Sequence, residues 1–240
     1  MTNRIGIILG SGLGRFAEML TERKTVYSDT DSFHKMKILT GKINSKEIIL
    51  FAGRRHFYEG YNPGKILEFV DIAEQYGVNL LIISNAAGGL NRNFNVSDLM
   101  LITSHLNFIN KILPLKRNVV PYTRAISETL SDIAVKNGIN LRKGSYCCFS
   151  GPNYETKSEI RYVSKFRIDA VGMSTVPEVL YASGKGISTI AISCITNLLS
   201  SGNTGVTDHN EVIEAGNKAY ENFSKMLISI IENSGKIITN

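Results

Sequence analysis

Two arginines, a histidine, a tyrosine and a glutamate crowd into one stretch bounded by glycines, Gly53-Arg54-Arg55-His56-Phe57-Tyr58-Glu59-Gly60. A guanidinium fork makes paired, charge-assisted hydrogen bonds to phosphate, and Glu59 is spaced to orient His56 or hold its charge. A second anion-binding pattern is Ala170–Val179, AVGMSTVPEV. There Thr175 and Glu178 read as a reciprocal capping box, with Pro177 in the first turn. Ser174 and Thr175 would bring hydroxyls and unpaired backbone N–H groups to a helix N-terminus; a well-capped helix with no ligand fits the same pattern. The turn Ser150–Thr156 presents Tyr154 beside Glu155, an aromatic and a carboxylate able to stack on and hydrogen-bond a heterocycle. Glu155 suits equally the first turn of a following helix. The small residues Ser84-Asn85-Ala86-Ala87-Gly88-Gly89 allow close approach of a ligand to the backbone, or tight helix–strand packing. Gly10-Ser11-Gly12-Leu13-Gly14 follows an apolar run as a phosphate-cradling turn would. It is not a full dinucleotide fingerprint: Arg15 stands where the third glycine belongs, and no clean second strand leads to Asp29 and Asp31.

The elements that must position these groups follow from apolar periodicity. Continuous apolar runs predict buried strands at Arg4–Leu9, Val78–Ile83, Asp98–Thr103, Gly144–Phe149 and Ile187–Ile195. Lys35–Thr40 and Glu47–Ala52 predict two strands around a turn at Gly41–Ser45. Helices are expected near Arg15–Thr21, from Asn62 and Pro63 to Gly77, over Ile126–Asn137 closed by Gly138, and over Ser158–Phe166. A last, long helix opens on a capping box of Asp208 and Glu211, with His209 in its first turn and Val212, Ala215, Ala219, Phe223, Met226 and Ile230 along one side. Asn110–Tyr122 reads as irregular. Strands alternating with helices predict one α/β domain over residues 1–240, with a central mixed sheet flanked by helices. The polar clusters fall at strand ends, where such sheets bind ligands.

Composition narrows the function. The 240 residues carry a net charge of +6, but Lys and Arg are scattered without a basic, aromatic-interleaved stripe, so nucleic acid is not the expected partner. No run is long and apolar enough to span a bilayer. The apolar run Ile5–Leu9 is too short for a secretory signal, and a cytoplasmic location is expected. Cys147, Cys148 and Cys194 form an odd set without metal spacing and read as small buried hydrophobes.

The motifs GSGLG (10–14), GRRHFYEGY (53–61), SNAAGGLN (84–91), GPNYET (151–156), AVGMSTVPEV (170–179), ITN (195–197) and HNEV (209–212) occur in this order. This ordered set closely resembles the trimeric purine nucleoside phosphorylases along nearly the whole chain. The resemblance implies the nucleoside phosphorylase fold, a homotrimer, and cleavage of purine nucleosides by inorganic phosphate as co-substrate, without metal or organic cofactor. It implies that Ser11, Arg54, His56, the Ala86 backbone N–H and Ser174 hold phosphate. Tyr58, Met173 and His209 would hold the sugar, Tyr154, Val171 and Gly88 would line the base pocket, and Glu155 and Asn197 would hydrogen-bond the purine. The sister methylthioadenosine phosphorylases usually carry an acid in the place of Asn197, so Asn197 with Glu155 points to 6-oxopurines. The chain lacks the family's phosphate-loop histidine near Leu39-Thr40-Gly41. It is also shortened after His105, where the family carries a phenylalanine that closes a neighbouring subunit's pocket; Tyr122 is a candidate replacement. The alternatives are methylthioadenosine as substrate, a non-catalytic purine nucleoside-binding protein, and, from Gly10–Gly14 alone, a dinucleotide-dependent oxidoreductase.

Overall fold

In the computed structural model, residues 4–29, 35–110, 119–199 and 209–238 are described, with side chains of the last helix described from residue 213 onward. Among the described residues nine strands form one sheet in the order β2-β3-β4-β1-β5-β8-β7-β6-β9, and β9 pairs again with β5. The strands β5, β8, β7, β6 and β9 therefore close into a ring, and β1, β4, β3 and β2 extend from it as an open arm.

β1 (Arg4–Leu9), β4 (Lys46–Ala52), β5 (Val78–Gly89) and β9 (Ser188–Leu198) run parallel, β1 between β4 and β5, and β9 beside β5. β3 (Met36–Ile43) forms a hairpin with β4 through Asn44 and Ser45, both at positive φ as a tight two-residue turn requires. β2 (Thr21–Asp29), absent from the sequence-based expectation, pairs antiparallel with β3. Almost every one of its residues is exposed, so no period-two pattern betrays it. β6 (Leu99–Asn107), β7 (Leu141–Cys148) and β8 (Ala170–Gly172) complete the ring.

Alternation along the strands builds two cores. Ile5, Ile7, Leu50, Leu80, Ile82, Leu99 and Leu101 face Leu130 of α2 (Arg124–Lys136) and Phe223, Met226 and Ile230 of α5 (His209–Glu232). Ile8, Phe51, Leu81, Ile83, Met100 and Ile102 face Phe69 and Val70 of α1 (Pro63–Gln75) and Val176, Val179 and Ala182 of α4 (Val176–Gly184). Burying each such side chain stabilises the fold by roughly 1.5–3 kcal/mol before ordering costs. Asn62 caps α1 by accepting from the Lys65 N–H at 3.0 Å, and Gly77 follows at φ +69°, both as the sequence predicts. The expected box of Asp208 and Glu211 lies outside what is described. Cys147 and Cys148 point to opposite faces and, like Cys194, are buried thiols.

Candidate active site

Parallel pairing brings the C-terminal ends of β1, β4, β5 and β9 to one edge of the sheet. The glycine turn after β1 lies directly on β5. The Gly10 N–H donates to Ser84 Oγ at 3.1 Å, and a Cβ at Gly10 would stand 2.6 Å from Asn85 Cα. Behind that turn, Gly216 of α5 backs onto Gly12: a Cβ there would meet Gly12 Cα at 2.9 Å. This contact docks the helix that begins at His209 against the Ser11 turn; the His209 side chain itself is not described.

Arg54, the second residue after β4, is turned inward and buried. Its Nη1 donates to Ser174 Oγ at 3.0 Å, Thr175 Oγ1 at 3.0 Å and Glu178 Oε1 at 3.2 Å, and its Nη2 donates to the Ser84 carbonyl. Asn85 Nδ2 also donates to Thr175 Oγ1, at 2.8 Å. The loop Gly53–Gly60 is thus not a solvated turn. Arg55 is buried too, paired with Glu68.

This corrects the expected capping box at Thr175 and Glu178. The helix starts there, with Pro177 in its first turn, but neither side chain caps it. A buried guanidinium needs an anion and acceptors more than a helix N–H needs a side-chain cap, so Arg54 takes both groups. Thr175 is held at φ +79°, an outlier for a β-branched residue. Residues 170–172 ahead of it form β8 rather than a helical turn.

His56 Nδ1 lies 3.0 Å from Glu59 Oε1, which also accepts the His56 backbone N–H at 2.7 Å, so Glu59 orients the ring. The His56 and Tyr58 rings stack at 4.9 Å. Burial, with Glu59 and Tyr154 nearby, pushes the Tyr58 phenol up to about 12, which keeps it a neutral donor. Tyr58 and Met173 converge over Gly151, where a Cβ would stand 2.5 Å from Tyr58 Cδ1 and 2.6 Å from Met173 Sδ.

A third group forms across the ring. Strand register sets Cys147 beside Val171, Val171 beside Gly88, and Gly88 beside Asn197. Ser84–Gly89 is therefore no terminal loop: it continues β5, paired with β9 along its length and with β8 at its end. Its small residues make room, since a Cβ on Gly88 would reach within 2.6 Å of Leu199 Cδ1. Thr196 Oγ1 donates to Asn197 Oδ1 at 3.1 Å. Glu155 approaches this row. Burial raises its carboxyl above the ordinary 4.5, and the Cys147 thiol is pushed up to about 12 by burial and then by Glu155. Glu155 is not in the first turn of α3 (Lys157–Ser164); Thr156 caps that helix in a box with Glu159. Tyr154 beside it is exposed.

The geometry thus gathers Arg54 with Ser174, Tyr58 with His56 and Met173, and Val171 with Gly88 and Asn197, while Glu155 acts on the neighbouring Cys147 through its charge. Sequence reasoning did not anticipate Ser84, Thr175 and Glu178 as partners of Arg54, nor Asn85 as a partner of Thr175. Glu178 lay within a motif already singled out, but its spacing suggested only a local role. The Tyr122 hydroxyl lies 3.1 Å from His105 Nδ1, and its half-buried ring packs on its own chain's core. Leu39, Thr40 and Gly41 lie within β3. A cavity of about 370 Å³ lies elsewhere, lined by Leu101, Thr103, Tyr122, Arg124, Lys143 and Thr189 among others, and of the anticipated residues only the lid candidate Tyr122 borders it. Among the described residues no group of three or more His, Cys, Asp or Glu could hold a metal ion, and no helix is long and apolar enough to cross a membrane.

A ring-closed mixed sheet that carries a buried arginine–hydroxyl–carboxylate cluster where its parallel strands end defines an α/β fold of the kind that binds ligands at that edge. The chain belongs to the phosphorylase superfamily, which matches residues 4–232. It is 35% identical over 256 residues to purine nucleoside phosphorylase 1 of Geobacillus stearothermophilus, covering 97% of this chain and 92% of that one. Its fold is similar to a Schistosoma mansoni purine nucleoside phosphorylase in complex with adenosine, with TM-score 0.88 and 29% identity over 97% of this chain and 91% of the other. A Schistosoma mansoni purine nucleoside phosphorylase in complex with inosine matches at TM-score 0.87 and 27% identity, covering 96% and 90%.

Proposed function

We propose that this enzyme is a purine nucleoside phosphorylase that splits the N-glycosidic bond of 6-oxopurine nucleosides. Inosine, guanosine and their deoxy forms react with inorganic phosphate to give free base and (deoxy)ribose 1-phosphate. In this reading phosphate sits among Ser11, Arg54, His56, the Ala86 N–H and Ser174. Tyr58, Met173 and His209 hold the sugar; Tyr154, Val171 and Gly88 line the base pocket. The bond breaks toward an oxocarbenium-like sugar, as in other glycosyl transfers. The phosphate dianion stabilises that cation and then attacks it, while the departing purine gathers negative charge. Asn197 carries a donor and an acceptor and bridges N7 and O6; ionised Glu155 only accepts, from N1–H and a 2-amino group. His209 orients the sugar through its 5′-hydroxyl. No cofactor enters these steps, phosphate being the co-substrate. A cytoplasmic homotrimer of one-domain subunits completes the reading.

The observation that carries it is the adjacency of Gly88 to both Val171 and Asn197, on the same strand as Ser84, whose carbonyl Arg54 grips. In this reading one strand joins the phosphate site to the base site. The test is release of hypoxanthine from inosine with and without phosphate, with adenosine and methylthioadenosine alongside. Turnover of inosine only with phosphate is expected. Turnover of the adenine nucleosides instead would move the substrate assignment, and nucleoside binding without turnover would make this a binding protein.

A further inference from the structure

Arg54 and Glu178 are nearly sealed from solvent, at 4% and 3% exposure, and stand 3.2 Å apart. Around them the remaining partners are neutral: Ser174 Oγ, Thr175 Oγ1 and the Ser84 carbonyl. The pair is incompletely satisfied. Arg54 Nε, Glu178 Oε2 and Asn85 Oδ1 are buried with no hydrogen-bond partner. Full satisfaction is the rule for a purely structural buried pair, so orphaned groups on both sides mark a cluster built to accept something more. Glu178 is also rigidly mounted, on the first turn of α4 between Pro177 and Val179, both buried. The strained φ of Thr175 persists because its hydroxyl meets both Arg54 and Asn85.

We propose that Glu178 is a positioning residue that acts as the built-in counter-anion of Arg54 and thereby sets phosphate affinity. This rests on the phosphorolysis reading and deepens it. With Glu178 in place the guanidinium stays desolvated and aligned on Ser174 when phosphate is absent, and its charge is cancelled. Phosphate is then held by directed hydrogen bonds in a site close to neutral, not by a bare buried cation. The same site must release a sugar phosphate at every turnover, and an uncompensated guanidinium in a low-dielectric pocket would hold substrate and product alike. Glu178 keeps both exchangeable.

The test compares wild type, Glu178→Gln and Glu178→Asp, all prepared in phosphate and exchanged out of it. It reads the KM for phosphate, kcat, a pre-steady-state burst of base release, and the thermal shift caused by inorganic phosphate. Glu178→Gln keeps the shape and removes the charge. It is expected to lower the KM for phosphate at least tenfold, to lower kcat with a burst as product release becomes slow, and to enlarge the phosphate-induced thermal shift. Glu178→Asp keeps the charge and is expected to change the KM for phosphate less than threefold. A purely structural role would lower thermal stability in both without tightening phosphate. An unchanged or raised KM for phosphate in Glu178→Gln overturns the proposal. So does a Glu178→Gln chain that fails to fold even in phosphate, since phosphate then cannot replace the lost anion. Absence of any phosphate dependence in wild type would instead overturn the phosphorolysis reading, and this inference with it.

Discussion

Replacing Gly151 by Ala tests how the sugar-side groups are held. Gly151 sits at φ +71°, where a Cβ costs about 1–2 kcal/mol. The new methyl would stand 2.5 Å from Tyr58 Cδ1 and 2.6 Å from Met173 Sδ. Ordinary contact needs about 1 Å more, so both side chains must withdraw, and overpacking of this kind adds about 1–3 kcal/mol. A total of about 2–5 kcal/mol lowers Tm by about 5–15 °C in a chain of this size. If Tyr58 and Met173 position the sugar, a displacement of about 1 Å lowers kcat/KM for inosine about 100-fold. Tyr58 also stacks on His56 and Met173 precedes Ser174, so the KM for phosphate should rise too, though less than the loss on inosine. Calorimetry and steady-state kinetics with each substrate varied in turn measure these effects. An unchanged Tm would refute the packing argument. A lowered Tm with kcat/KM for inosine intact would refute the sugar role of Tyr58 and Met173.

Asn197→Asp replaces a donor and an acceptor by acceptors only. A mismatch of this kind costs roughly 1–3 kcal/mol, so inosine cleavage should fall about 10- to 100-fold with some gain on adenosine; unchanged inosine turnover would contradict the assigned role. Burial raises the folded-state pKa of Glu155 above 4.5, so the folded chain binds the proton more tightly than the unfolded one. The contribution of Glu155 to stability therefore declines as pH rises from 4.5 through that raised value. Because the base-binding form is ionised, the acid limb of kcat/KM should lie above pH 4.5; a pH–rate profile with the limb at or below that value would remove Glu155 from the pocket. In Thr156→Ala the helix after Glu155 loses its cap, whose hydroxyl accepts the Glu159 N–H at 3.3 Å. A loss of about 1 kcal/mol and about 2–4 °C in Tm is expected by thermal denaturation, with little change in the KM for phosphate.

Two stretches with the same capping spacing, of which only Thr175–Glu178 was singled out from the sequence, show where local chemistry decides the outcome and where it does not. Thr156 and Glu159 form their reciprocal box on an exposed helix end, where nothing competes for them. Thr175 and Glu178 carry the same spacing but form none, because Arg54, distant in sequence, is buried against them. The edge strand β2 was illegible for the opposite reason. It buries almost nothing, so its pairing with β3 leaves no apolar period to read. The predicted strand at Val78–Ile83 stopped short because the apolar run ends at the small and polar residues Ser84–Gly89; pairing with β8 and β9 makes them strand.

The sequence by itself determined the α/β class, most of the strands and helices, and the polar motifs at the strand ends, because apolar periodicity, glycine turns and residue chemistry are local properties. Only the tertiary structure decided that the sheet closes through β5 and β9, that Gly88, Val171 and Asn197 share one row, and that Arg54 is paired with Glu178. Those depend on which distant segments meet, and the cost of a buried, uncompensated charge overrides the local preference of every residue it recruits.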